Sequence, residues 1–348
     1  MSFKNILRIF IRQPEVRLEL LENMSDAAWD DAIADFEISC LFHKSAWLRF
    51  LMQTQPGSVI KMRIENQGET AGYFAGLLVK KGPFKILGSP LPGTTTEYMG
   101  PITRAVLNQY HFFEALDDFC KKYRIHGIEI RSPILDDQIM TEFGYEKSGG
   151  VTVIVSLDSD TENMFKLLDK KVRYYIRKGP RDGMVIENVK DPTFVEDYYF
   201  QLIEVFSQQG LVPTYDKNRV IRLFEILSPD HLFAIRACLD GQILATGIFI
   251  YNDRRIYYWG GASWLRFRHL CPNEPIQWKA MTMAAKMGIK DYDMGGSDTH
   301  FKLKFGGEKV CIPWYSKYSS RAARFGRNIY RDRFKVMQKF KGILRKGS

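Results

Sequence analysis

The feature that most constrains this chain is an order of elements that occurs twice. In the first half, alternation of apolar and polar residues predicts strands over Val59 to Ile64, Ala71 to Val79 and Phe84 to Leu87, with a turn at Asn66 to Gly68. An amphipathic helix follows over Val106 to Tyr123, with Phe113, Leu116, Phe119 and Cys120 at core spacing, and HGIEIRSP continues as a strand through Ile128 and Ile130. The second half has a strand from Leu232 to Leu239, a hairpin turn at Asp240-Gly241, and strands over Ile243 to Tyr251 and Arg255 to Gly260. A helix from Glu274 to Lys286 comes next, with Ile276, Ala280, Met283 and Met287 on one face, and KDYDMGG follows as a strand. Matching NQGETAGYF to DGQILATGIF pairs Gly68 with Gly241 and Gly72 with Gly247, so the halves read as a divergent tandem repeat.

An antiparallel meander followed by a helix that returns to a parallel neighbour leaves a sheet splayed where the pairing changes direction, a natural groove for an extended acyl donor. That is the plan of an acetyltransferase-type (GNAT) domain, a mixed-sheet α/β fold, and 348 residues hold about two of them. The expected boundary is Gly149-Gly150, giving a first unit over 1–149, a second over 150–316 that carries the transfer site, and a tail over 317–348. Between the copies, a helix is expected over Glu162 to Ile176, ended by Lys178-Gly179-Pro180. Two more are expected over Tyr198 to Gln208 and Asn218 to Leu227.

The net charge of +10 is unevenly placed, because Lys317 to Ser348 carries eleven Lys and Arg against the single Asp332. The rest of the chain is neutral, which argues against a uniformly basic nucleic-acid binder. In the tail, Tyr330, Phe334, Met337, Phe340 and Leu344 recur at helical spacing among cations, a basic amphipathic pattern suited to anionic lipid, to tRNA phosphates or to its own domain. Phe3, Ile6, Leu7 and Phe10 repeat it on a smaller scale. No run is long enough to span a bilayer, so the expected location is the cytoplasm, including the inner membrane face. The five cysteines have no CxxC pair and no His at metal-ligand spacing, so free thiols and no metal are expected.

From Ile256 to Val310 the arrangement of YYWGGAS, a PN-containing loop, a helix with Trp278, the strand YDMGG and then FKLKFGG resembles the Fem family of peptidoglycan-bridge transferases. The resemblance extends through DKKVRYYIRKGPRDGMVI, FHKSAWLRFL and EYMGP, and so covers most of the chain. It implies transfer of an amino acid from a charged tRNA to an amine of a cell-wall precursor, or acylation of a polysaccharide-related acceptor, with no tightly bound cofactor. Phe301-Lys302-Leu303-Lys304-Phe305 matches the family's FKxGF motif, which puts the functional lysine at Lys302 and an unexpected Lys304 where the family has Gly. A lysine beside splayed strands neutralises a phosphate or the oxyanion of an attacked carbonyl; the alternative is a solvated lysine on a hairpin.

Other candidates are weighed in the same way. Arg173 and Arg177 share a helix face and suit a diphosphate acceptor, or form a solvated basic face. Asn273 reads as the N-cap of a helix with Pro275 in its first turn, and also as a substrate contact. Tyr258 is placed in the groove, and Tyr98 of EYMGP among the substrate-binding residues, by the resemblance. His300 is a base or a plain surface histidine. The loop WLRFRHLCPNEP has no glycine, whereas an acetyl-CoA enzyme of this fold has a Gly-rich loop whose amides hold the pyrophosphate. That moves weight to an aminoacyl-tRNA or an unfamiliar thioester as donor. The leading expectation is an aminoacyl- or acyltransferase making an amide or ester on a cell-wall or polysaccharide precursor, which the family links to a lipid. An acyl-CoA or acyl-carrier-protein N-acyltransferase of an amino sugar, and a membrane- or RNA-docked binding module without activity, remain the alternatives.

Overall fold

The computed structural model describes residues 16–329 apart from 105–107, 191–192 and 297–298. The first half consists of β1 (Val16–Leu20), α1 (Asp26–Ala34), α2 (Ser45–Thr54), β2 (Ser58–Asn66), β3 (Glu69–Lys81), β4 (Phe84–Ser89), β5 (Gly100–Thr103), α3 (Gln109–Tyr123), β6 (Gly127–Ile130), α4 (Asp137–Glu142) and β7 (Glu146–Ser148). The second has β8 (Val151–Ser156), α5 (Thr161–Leu167), α6 (Lys170–Arg181), β9 (Val185–Val189), α7 (Phe194–Gln208), α8 (Lys217–Leu227), β10 (Leu232–Leu239), β11 (Gln242–Tyr251), β12 (Arg255–Ser263), α9 (Asn273–Lys286), β13 (Asp291–Asp293), α10 (Thr299–Leu303), β14 (Glu308–Cys311) and β15 (Trp314–Tyr318).

The expected plan is present in both halves. β1 to β4 form an antiparallel meander, α3 crosses over, and β6 joins parallel to β4. β9 to β12 do the same, α9 crosses, and β13 joins parallel to β12. The aligned glycines are not equivalent, however. A side chain at Gly72 would strike the Ile102 carbonyl of β5, whereas one at Gly247 would meet Ile276 of α9 at 3.0 Å. One glycine admits a strand and the other a helix.

Three further features depart from the sequence reading. The helix expected over 162–176 is two: Leu168 is extended (ψ 148°), and Asp169 starts α6 by accepting the Lys171 N–H at 2.8 Å. α6 then runs through Pro180 to Arg181, because a proline in the last turn removes only one helical hydrogen bond. Finally, β15, placed by the sequence partly in the second unit, inserts into the first sheet between β6 and β7. The outgoing and returning crossings run side by side, with Ile312 donating to the Gly150 carbonyl at 2.7 Å. Gly150 (φ 148°) leaves no room for a side chain against the Ile312 carbonyl.

The halves share a core. Trp29, Leu41, Trp47 and Phe50 from the first pack in one cluster with Phe194, Tyr198, Leu223 and Tyr257 from the second. Residues 321–329 are helical, and Arg327 donates from both Nε and Nη2 to the buried Glu129 carboxylate. The apolar patterns expected over residues 3–10 and 330–344 lie outside the described residues. Among the described residues no helix is long and apolar enough to cross a membrane.

Candidate active site

Parallel pairing of β12 with β13 covers only Arg255 to Tyr257 against Asp291 to Asp293. Beyond it, β12 continues on β11 while the other chain turns away at Met294-Gly295-Gly296, so the sheet opens into a wedge. The register against β11 slips at Trp259, a bulge that twists this edge further. Gly260 and Gly261 follow because side chains there would strike the hydroxyls of Tyr198 and Tyr258.

Lys302 closes the wedge. It lies on α10, not on a hairpin, and is 4% exposed. Its Nζ donates to the Gly295 carbonyl at 3.1 Å and sits 5.8 Å from the centroid of the Tyr258 ring. Two carboxyl groups border the same Gly295 turn as this ammonium. Asp293, 1% exposed, accepts hydrogen bonds at Oδ1 from Thr152 Oγ1 and, at 2.9 Å, from the Gly295 N–H. Its Oδ2 has no hydrogen-bond partner among the described residues. Burial holds the Asp293 carboxyl above its ordinary pKa, against the pull of Thr152, Gly295 and nearby arginines. Glu97 arrives from the first half, and burial followed by the Asp293 charge lifts its pKa too.

A cavity of about 1330 Å³ is lined by residues of both halves. Leu77, Val79, Ile86 and Leu91 form an apolar wall, and Arg219 of α8 supplies a buried cation. Its Nη2 donates to Thr94 O at 2.6 Å and Thr95 Oγ1 at 3.1 Å, while Nε has no partner among the described residues. Burial draws this guanidinium down to about 10, the sign of a charge short of compensation. Thr95 also accepts from Trp259 Nε1 at 3.1 Å, and Tyr215, whose hydroxyl meets that of Tyr198 at 2.6 Å, packs its ring 5.1 Å from Trp259. Two residues that line the cavity, Thr95 and Tyr215, therefore pack against Trp259 of β12.

Residues 166–303 match the acetyltransferase (GNAT) domain family. Among solved structures, FemX covers 86% of this chain and 97% of its own at 14% identity and a TM-score of 0.68. A tandem GNAT protein from the clavulanic acid biosynthesis pathway covers 88% and 99% at 9% identity and 0.54. The chain has the tandem GNAT fold. The C-terminal domain of a putative lysylphosphatidylglycerol synthetase from Agrobacterium fabrum is also similar, covering 86% and 95% at 13% identity and 0.53. No curated protein matches the sequence.

The candidate substrate and catalytic residues singled out by sequence fall in three places. Lys302 and Tyr258 meet in the wedge. Tyr98 lines a separate cavity of about 470 Å³ with Cys40, Arg255 and Tyr257, and its hydroxyl accepts from Arg255. Arg173, half-buried, and Arg177, exposed and 4.7 Å over the Phe165 ring, lie on α6, whose end packs on the start of α9. Asn273 and Lys304 are at that start. Asn273 is not the N-cap: Pro272, already helical in backbone, takes that position and no side chain caps the helix. His300 is exposed. Glu97, Thr95, Tyr198, Tyr215 and Arg219 escaped the sequence reading. Only Glu97 carried a signal, as the neighbour of Tyr98 in EYMGP.

The GNAT fold implies a coenzyme A pyrophosphate on the amides at the start of α9. The residues do not fit it. Pro272 and Pro275 remove two of the unpaired N–H groups of the first turn, and the half-buried Glu274 carboxylate turns back onto its own N–H. An acidic group thus occupies the place where the fold otherwise receives an anion.

Proposed function

We propose that this protein is an acyltransferase that places an aminoacyl group on an amine of a cell-envelope precursor, forming an amide by direct attack. The observation that carries the reading is the buried Lys302 at the wedge, with a large cavity nearby whose Thr95 and Tyr215 touch Trp259 of β12. The acceptor occupies that cavity, with an anionic portion toward Arg219 and its amine at the exposed edge of β12. The donor carbonyl lies along Tyr258 to Gly261, and the Lys302 ammonium faces the oxygen as it gains charge. Preorganised donors of this kind contribute roughly 10²–10³ in kcat. Likeness to FemX and to the lysylphosphatidylglycerol synthetase domain supports a cell-envelope acceptor. The crowded start of α9 supports an aminoacyl-tRNA over a coenzyme A thioester as donor.

The test is transfer from a mixture of charged tRNAs, and separately from acetyl-CoA, to a lysine-containing cell-wall precursor. Charged tRNA is expected to be consumed, and Lys302→Ala to lower kcat about 100-fold or more without a matching loss of stability. Turnover of acetyl-CoA with none of tRNA would sink the donor assignment. Binding without turnover of either, unaffected by Lys302→Ala, would leave a non-catalytic module.

A further inference from the structure

The wedge contains a group from the first half that an oxyanion role for Lys302 leaves unused. Glu97 immediately precedes the segment leading to β5, and Arg131, at the end of β6, holds it from one side. Arg131 Nη1 donates to the Glu97 carbonyl at 2.7 Å and to Oε2 at 3.1 Å, while its Nε is tied to Ile312 O at 2.8 Å. The guanidinium also covers the Trp314 ring at 5.4 Å. This grip fixes Oε2 and leaves Oε1 toward the wedge. A Cβ built on Gly295 would lie 3.7 Å from Glu97 Oε1 and 3.5 Å from Lys302 Nζ, so both groups border the same small space.

On this structure we infer that Glu97 is the base that takes the proton from the attacking amine, an assignment that rests on the acyltransferase reading above. Three charged groups from three elements face it: Arg131 of the β6 end, Asp293 of β13 and Lys302 of α10. Of the two carboxyls, Asp293 is sealed, with Oδ1 committed to Thr152 and Gly295, whereas the Glu97 side chain is 33% exposed and open to an incoming group. The other basic candidates face elsewhere. His300 is exposed, and buried His43 spends Nδ1 on the Cys40 N–H at 3.1 Å. A pKa lifted by burial brings a carboxylate closer to the range where it exchanges protons near neutrality.

The step balances as follows. The acceptor arrives as an ammonium and loses one proton to Glu97 Oε1, which frees the lone pair. Nitrogen bonds to the donor carbonyl carbon, and the bond from that carbon to the ester oxygen breaks. The second nitrogen-bound proton goes to the departing oxygen, and Glu97 returns its proton to solvent. Nothing is oxidised or reduced.

The experiment compares wild type with Glu97→Gln, using charged tRNA as donor and two acceptors: an alkylamine of the lysine type, and hydroxylamine, which is already unprotonated at neutral pH. Glu97→Gln is expected to lose about 10²–10⁴-fold with the alkylamine, to lose the acidic limb of its kcat/KM profile, and to keep most of its hydroxylamine rate. No loss with the alkylamine, or equal loss with both acceptors in a variant that melts with wild type, overturns the assignment. If Glu97→Gln melts lower, Glu97→Asp, which keeps the charge but retracts it, is compared in the same way. Absence of transfer by wild type to either acceptor fails the acyltransferase reading itself, before any variant is made.

Discussion

Arg131 donates through one nitrogen to both the main-chain carbonyl and the carboxylate of Glu97, at 2.7 and 3.1 Å. One guanidinium, 5% exposed, therefore fixes the backbone and the side chain of the same residue. Arg131→Leu leaves Glu97 and the Ile312 carbonyl without that donor, and a loss of about 3 kcal/mol is expected. Urea unfolding followed by tryptophan fluorescence measures it, and a change under about 0.5 kcal/mol, the scatter of neutral surface changes, contradicts it.

Gly295 combines a left-handed backbone (φ 75°) with a place between two charged groups. Gly295→Ala is expected to cost about 1 kcal/mol in backbone strain. The added methyl makes only ordinary contacts, at 3.5 and 3.7 Å, so the fold survives. Transfer is expected to fall about tenfold or more, because the methyl fills the space between Glu97 and Lys302 in which the reacting groups must be placed. A variant that melts lower but transfers at the wild-type rate would show the space to be idle.

The two wedge carboxyls give stability a particular pH dependence. Both have folded pKa values raised above their ordinary 4.5 and 3.8. Their stabilising contribution is full below those ordinary values and is lost as pH rises through the folded ones. Asp293→Asn keeps the Oδ1 acceptor and removes the ionisation, so its stability is expected to decline less than that of wild type as pH rises from 3.8 through the raised folded value. Parallel denaturant titrations across that window test it, and equal slopes would deny Asp293 a part.

Thiol chemistry separates the cysteines. Burial pushes Cys40 up to about 11 and Cys120 up to about 12, while Cys311 is exposed on β14. Brief treatment with iodoacetamide near neutral pH is expected to label Cys311 and to spare Cys40 and Cys120 until denaturant is added, since the thiolate is the reactive form. Peptide mass spectrometry reads the order, and early labelling of Cys40 would contradict its burial.

The meanders and crossover helices were legible because hairpin turns such as Asp240-Gly241 and helix faces such as Ile276 and Ala280 are local patterns. α9 begins one residue from its expected start, and β10 has its expected ends. What escaped depends on partners far away in the chain. Nothing near Arg219 says that its guanidinium reaches Thr94, 125 residues earlier. Lys302 is singled out by a motif, but its burial on a helix is not, because FKLKFGG has no period that distinguishes a short helix from a hairpin. Within EYMGP, Tyr98 drew attention and Glu97 did not, although adjacent residues point in opposite directions and only Glu97 turns toward Lys302.

The place of β15 has a consequence for the order in which the molecule forms on the ribosome. The first half leaves the exit tunnel early, yet β6 and β7 have no strand between them until Trp314 to Tyr318 has been made. Its sheet therefore waits with two unpaired edges while about half the chain is still being translated. The first sheet is therefore complete only after the strands of the second have been made.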